Sequence, residues 1–139
     1  MDGGLISLLT KAAIVPVLTI ERAADAGPLA KALHQGGVSA VEVTLRTDAA
    51  LSAVATIKAE APEMTVGVGT VTKAEDIQPA IRAGASFLVS PGTPPELAAA
   101  LAAAGVPALP GCATVSEAMS LRARGFKVLK FFPAEACGG

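Results

Sequence analysis

The 139-residue chain has no tryptophan and no tyrosine, only four phenylalanines, one histidine and two cysteines. Base-stacking platforms are therefore nearly absent. Eleven Lys+Arg stand against twelve Asp+Glu, for a formal net charge of −1, with no basic cluster. The electrostatic footprint of a nucleic-acid binder is missing as well. Cys112 and Cys137 are too few for a disulfide framework and lack the paired spacing of a zinc site, so they read as free thiols. His34 lies at the end of a helical stretch, where a helix C-terminus favours a cation, and reads as a surface residue. One imidazole without a carboxylate cluster gives a metal site little to be built from. Long apolar runs are missing too: residues 97–106 are mostly alanine, contain Gly105 and precede Pro107, short of the roughly 20 strongly apolar residues of a bilayer span. The opening Met1-Asp2-Gly3-Gly4 has no basic segment leading into a leucine-rich core. The expectation is a soluble, cytoplasmic protein with neither nucleic acid nor membrane as partner.

What is abundant is a rhythm. Short β-branched runs at residues 14–18, 40–45, 65–69, 87–90, 107–110 and 127–131 alternate with Ala-rich amphipathic stretches at 22–35, 48–61, 73–83, 94–104 and 115–124, preceded by a short helix at 5–12. Such alternation means βαβ units and a parallel sheet. Three segments, Thr72-Lys73-Ala74-Glu75, Thr93-Pro94-Pro95-Glu96 and Thr114-Val115-Ser116-Glu117, read as capping boxes, with Pro94 in a first turn. Gly36, Gly84, Gly105 and Gly125 read as left-handed helix terminators. The last three recur about every 20 residues, as a repeated strand–helix unit would, and the uniform order of parts favours a (β/α)8 TIM barrel over an open doubly wound sheet. Residues 1–139 then form a single barrel domain with about six βα units. Since an eight-unit barrel needs roughly 250 residues, or 200 when compact, the chain is expected to be truncated at its C-terminus.

Strands of a parallel barrel are covered on both faces and normally run as continuous Val/Ile/Leu. Four charged residues break that rule: Glu42 and Arg46 in or just past the second strand, and Lys127 and Lys130 in the sixth. Lys127 opens its strand and can reach solvent. Lys130 sits in Val128-Leu129-Lys130-Phe131-Phe132, where an ammonium must find a partner or shed its proton. Desolvation lowers a lysine pKa, and a neutral amine attacks carbonyl carbon, which suggests Schiff-base formation. A strand-end lysine pairing a carboxylate for packing is the competing reading. In Val41-Glu42-Val43-Thr44-Leu45-Arg46 strict alternation puts Glu42, Thr44 and Arg46 on one face. If that face and the one holding Val128, Lys130 and Phe132 point inward, Glu42 meets Lys130, as acid–base machinery or as a salt bridge filling a barrel layer.

Gly67-Val68-Gly69-Thr70-Val71 ends the third strand with two glycines and a hydroxyl and reads equally as a ligand cradle or a bare turn. Ser90-Pro91-Gly92 and Leu109-Pro110-Gly111 read as rigid turns on the same rim, either pocket wall or plain loop. Together with Glu42-Val43-Thr44-Leu45-Arg46-Thr47 and Lys130-Phe131-Phe132-Pro133-Ala134-Glu135, these segments resemble the 2-keto-3-deoxy-6-phosphogluconate (KDPG) aldolase family, whose bacterial members often also cleave 4-hydroxy-2-oxoglutarate. The resemblance runs in order along essentially the whole chain and is most specific at residues 130–135. It implies a class I aldolase, a cytoplasmic lyase of the Entner–Doudoroff pathway with no metal or other cofactor, on a homotrimeric (β/α)8 barrel. By the same resemblance Lys130 forms the Schiff base, Glu42 transfers protons, Arg46 and Thr70 hold the substrate carboxylate, and Pro91 and Phe132 line the pyruvate pocket. The family's glycine- and serine-lined phosphate site belongs to two further strands beyond these six. An aldolase for the galactonate epimer or for unphosphorylated hydroxy-keto acids, and an inactive fragment or scaffold of such a barrel, are the alternatives.

Overall fold

The computed structural model describes residues 2–139; Met1, the first residue of the opening read above, lies outside them. The element order is α1 (Asp2–Ala12), β1 (Val17–Leu18), α2 (Ala23–Gln35), β2 (Ala40–Thr44), α3 (Ala50–Glu60), β3 (Thr65–Gly69), a 3-10 turn (Ala74–Asp76) running into α4 (Ile77–Ala83), β4 (Phe87–Val89), α5 (Pro95–Ala102), β5 (Ala108–Leu109), β6 (Gly111–Cys112), α6 (Val115–Ala123) and β7 (Lys130–Phe131). All strand pairings are parallel, in the order β1-β2-β3-β4-β5 with β6 pairing β7. This is the expected TIM-barrel-like α/β fold.

The strand expected at 107–110 is longer than that and serves two neighbours. The carbonyls of Pro107 and Leu109 accept from Leu88 and Ser90 on the β4 side. Those of Pro110 and Cys112 accept from Lys130 and Phe132 on the other side. Pro110, which has no N–H to give, divides β5 from β6. Leu109-Pro110-Gly111 is therefore a strand segment and not the rim turn it was read as. The last strand begins at Lys130, so Lys127 precedes it.

The alternation in β2 divides the buried residues between two layers. Val41, Val43, Val66, Val68 and Leu88 pack outward with Ala26, Ala30, Ala53, Val54 and Ile57 of the helices. Small alanines let α2 and α3 lie close to the sheet and to one another. Facing the other way, Phe87 and Val89 pack with Leu5 of α1, joined by Leu8, Leu9, Val15, Leu109 and Val128. Burying a side chain such as Leu5 is worth about 2 kcal/mol, which holds α1 across the inner face as a plug.

Helix ends depart from the sequence expectations in informative ways. Only Thr114 forms its box: its hydroxyl accepts the Glu117 amide at 3.2 Å, and the Glu117 carboxylate accepts the amides of Ala113 and Thr114. At the box expected from Thr72, Asp76 and not Glu75 accepts the amides of Thr72 and Lys73. At the one expected from Thr93, Pro94 is the N-cap and Pro95 opens α5, the Thr93 hydroxyl being engaged elsewhere. The left-handed residue after α2 is Gly37 (φ 94°), not Gly36 (φ −78°). Gly84, Gly105 and Gly125 do take positive φ.

Thr114→Ala is expected to lower stability by about 1 kcal/mol in urea unfolding. The two amides donating to Glu117 hold its carboxyl below the usual range. A depressed folded-state value stabilises above the ordinary glutamate pKa and loses that contribution as pH falls, so the Thr114 box weakens on acidification.

Candidate active site

Lys130 and Glu42 meet. The Lys130 Nζ lies 3.6 Å from Glu42 Oε1, with Lys130 partly exposed (23%) and Glu42 almost fully buried (6%). Four strand spacings separate β2 from β7, about 19 Å in a flat sheet, so the contact exists only because the sheet curls into a barrel wall. The Lys130 ammonium also stands 5.1 Å from the centroid of the Phe132 ring, within cation–π range. Phe132 itself is 39% exposed.

Burial raises the Glu42 pKa, and the positive charges of Lys130 and Arg46 pull it back only in part. A carboxyl whose pKa is raised above its ordinary value, beside an amine, is better suited to both take and return a proton. Arg46, expected on one inner row with Glu42 and Thr44, lies in an exposed turn just past the end of β2, from which its charge acts on Glu42. Thr44 stays on that row, fully buried, its hydroxyl donating to the Leu18 carbonyl at 2.9 Å and lying 3.4 Å from the Thr19 hydroxyl.

The third strand contributes by what it lacks. A Cβ on Gly69 would collide with the Glu42 carboxyl, and one on Gly67 would collide with the Phe87 ring. These glycines are not a bare turn: they leave the hollow into which the acid and the plug residue fit. Gly69→Ala is expected to push the Glu42 carboxyl toward solvent. It should cost about 1–3 kcal/mol on chemical denaturation, the usual scale of overpacking. The Glu42 carboxyl should then titrate nearer the ordinary glutamate value when followed by carbon-13 NMR.

Thr70 follows directly, half-buried, with φ 60°. A left-handed β-branched residue stores strain of about 1–3 kcal/mol and, at the lip of the hollow, marks a position held for its side chain or its amide. Nothing in the sequence announced that strain. Pro91 stands on the same rim, its carbonyl occupying the space a Cβ on Gly111 would need. His34 is exposed in the last turn of α2, Cys112 is buried and Cys137 exposed, all outside this site. Among the described residues no cluster of three or more His, Cys, Asp or Glu could hold a metal, and no helix is long and apolar enough to cross a membrane. A groove of about 550 Å³ between α5 and α6, lined by Thr93, Pro94, Ser116, Ser120 and Arg124 among others, lies apart from the Lys130–Glu42 pair. Charge inside strands, rather than concavity, is the feature that leads to the pair.

Fold and pair together define a parallel (β/α) barrel carrying an amine and a carboxyl side by side on its inner wall. A family model for KDPG and KHG aldolases matches residues 5–139, and the chain belongs to that family. It is 45% identical over 133 residues to the KHG/KDPG aldolase of Escherichia coli K12, covering 96% of this chain and 62% of that protein. The chain thus spans less than two thirds of the length of the curated relative. Among solved structures, the 2-keto-3-deoxy-6-phosphogluconate aldolase of Zymomonas mobilis ZM4, determined with 3-phosphoglycerate, superposes with a TM-score of 0.95 at 42% identity, covering 100% of this chain and 66% of that one. The KDPG aldolase of Legionella pneumophila, with pyruvate captured as a covalent carbinolamine, superposes at 0.89 with 40% identity, covering 93% and 63%.

Proposed function

We propose that the chain carries the catalytic wall of a class I aldolase. Its reaction is the reversible cleavage of 2-keto-3-deoxy-6-phosphogluconate to pyruvate and glyceraldehyde 3-phosphate, with 4-hydroxy-2-oxoglutarate, giving pyruvate and glyoxylate, as a second substrate. The observation that carries this reading is the Lys130 amine 3.6 Å from the buried Glu42 carboxyl. The relatives' names and the covalent pyruvate in the Legionella enzyme support it.

In the proposed mechanism the neutral Lys130 amine adds to the C2 carbonyl of the keto acid, and the carbinolamine loses water to give an iminium. Glu42 takes the C4 hydroxyl proton. The C3–C4 bond breaks, its electron pair moving to the iminium as the aldehyde leaves, and Glu42 returns the proton to C3 of the enamine. Water then releases pyruvate and restores the amine. The planar donors of Arg46, together with Thr70, suit the substrate carboxylate, and Pro91 and Phe132 bound the pyruvate carbons. No metal is needed, because the protonated imine is the electron sink.

As parts of the same reading, residues 1–139 are one domain forming the first six βα units of a barrel, and the full protein is a cytoplasmic homotrimer acting in the Entner–Doudoroff pathway. Borohydride reduction in the presence of pyruvate, followed by peptide mapping, tests the centre of the proposal. A pyruvyl adduct on Lys130 is expected; an adduct on another lysine overturns the assignment. Steady-state rates then separate KDPG from its galactonate epimer and from unphosphorylated hydroxy-keto acids. A pyruvate-release assay on the 139-residue chain separates an enzyme from an inactive fragment or scaffold.

A further inference from the structure

Beyond the end of β4 the strand carrying β6 has no backbone ladder on that side, and both peptide groups of Gly111 are satisfied there by side chains. The Gly111 amide donates to the Ser90 hydroxyl at 3.3 Å, and the Thr93 hydroxyl donates to the Gly111 carbonyl at 2.9 Å. The two hydroxyls are 2.9 Å from each other. With the Thr93 hydrogen committed to the carbonyl, the Ser90 hydroxyl completes the chain by donating to Thr93. Ser90 is fully buried, and the Ser90 and Pro91 carbonyls press into the space a Cβ on Gly111 would take, so this contact is fitted on all sides. Gly111 is the register partner of Lys130 in the β6–β7 ladder, and the Lys130 amide donates to the adjoining Pro110 carbonyl at 2.9 Å.

We infer that Ser90 and Thr93 are positioning residues that replace the missing β4 ladder, hold the Gly111 peptide groups in place and thereby set the register of Lys130 against Glu42. The inference rests on the proposed role of Lys130 for its kinetic consequences but not for its structural one. It also explains why Thr93 is not the N-cap of α5: a buried carbonyl left without a donor costs more than an exposed helix end, which water can serve.

The test compares Thr93→Val, which keeps the shape and removes the hydroxyl, with Thr93→Ser, which keeps the hydroxyl. In Thr93→Val the Lys130 and Phe132 amides should exchange hydrogen about tenfold faster relative to those of β2, and borohydride capture of pyruvate on Lys130 should slow by about tenfold, the scale of one buried hydrogen bond. In the enzyme assay kcat should fall more than KM rises, and the acid limb of the pH profile should move because Glu42 no longer faces the amine at the same distance. Thr93→Ser should restore all of these. Unchanged amide exchange in Thr93→Val, or a Thr93→Ser variant that behaves like it, overturns the inference. If the valine variant does not fold, Ser90→Ala carries the same readouts, since it removes the acceptor for the Gly111 amide and leaves the Thr93 bond. A wild-type chain that captures no pyruvate would count against the aldolase reading, and the exchange measurement would still decide the clasp.

Discussion

Lys130→Met is expected to abolish the pyruvyl adduct and to lower kcat by at least about 10⁴-fold, because Lys130 is the amine paired with Glu42 among the described residues and loss of a covalent nucleophile sits at the upper end of single-residue effects. The same change has a second, independent signature in stability. Methionine fills much of the lysine's volume but leaves the Glu42 carboxyl buried without its cation. Breaking a fully buried pair costs roughly 3–5 kcal/mol; Lys130 retains 23% exposure and the contact is 3.6 Å, so about 1–2 kcal/mol is expected here. The pH dependence follows from the sign of the Glu42 shift. Burial already holds that pKa above its ordinary value, and removing the Lys130 charge takes away one of the influences that lower it. A group whose folded-state pKa is raised stabilises below its unfolded value and loses that contribution as pH rises through the folded one. The deficit of Lys130→Met, measured by denaturant unfolding, should therefore be full at neutral pH and shrink as pH falls. A deficit that grew on acidification would mean that Glu42 is not the buried partner.

Glu42→Gln separates proton transfer from adduct formation. The amide is isosteric and fits the space left by Gly69, so the borohydride adduct on Lys130 should persist while turnover falls by about 10²-fold or more. Wild-type kcat/KM should have an acid limb above the ordinary glutamate pKa, since burial outweighs the attraction of Lys130 and Arg46, and the variant should lose that limb. Adduct formation lost together with turnover would move Glu42 from proton transfer to holding the lysine in place. Turnover unchanged would leave it as packing alone.

How much of this site could be read in advance depends on the range of the interaction concerned. Glu42 and Lys130 were legible because a charge inside an apolar strand is costly wherever the strand goes. The inward face of Glu42 and Thr44 followed from a two-residue period that no tertiary contact can alter without slipping the register. Arg46 lies just past that period, in the turn that follows Thr44, and its charge still reaches Glu42. The helix boundaries came from local capping chemistry and held at Thr114. They failed at Thr93, whose hydroxyl serves a strand instead of a helix end.

The local pattern of this chain thus determined its element order, its parallel α/β class and the two residues most worth suspecting. Only the tertiary structure decided that those residues touch, that Gly69 is vacant so that a carboxyl can occupy its place, that Thr70 is strained, and that Ser90 and Thr93 stand in for a strand. The reason is physical. Period and capping act over a few residues, whereas the curl of a sheet and the filling of its inner face are settled by contacts between segments far apart in the chain, and short-range pattern carries no record of them.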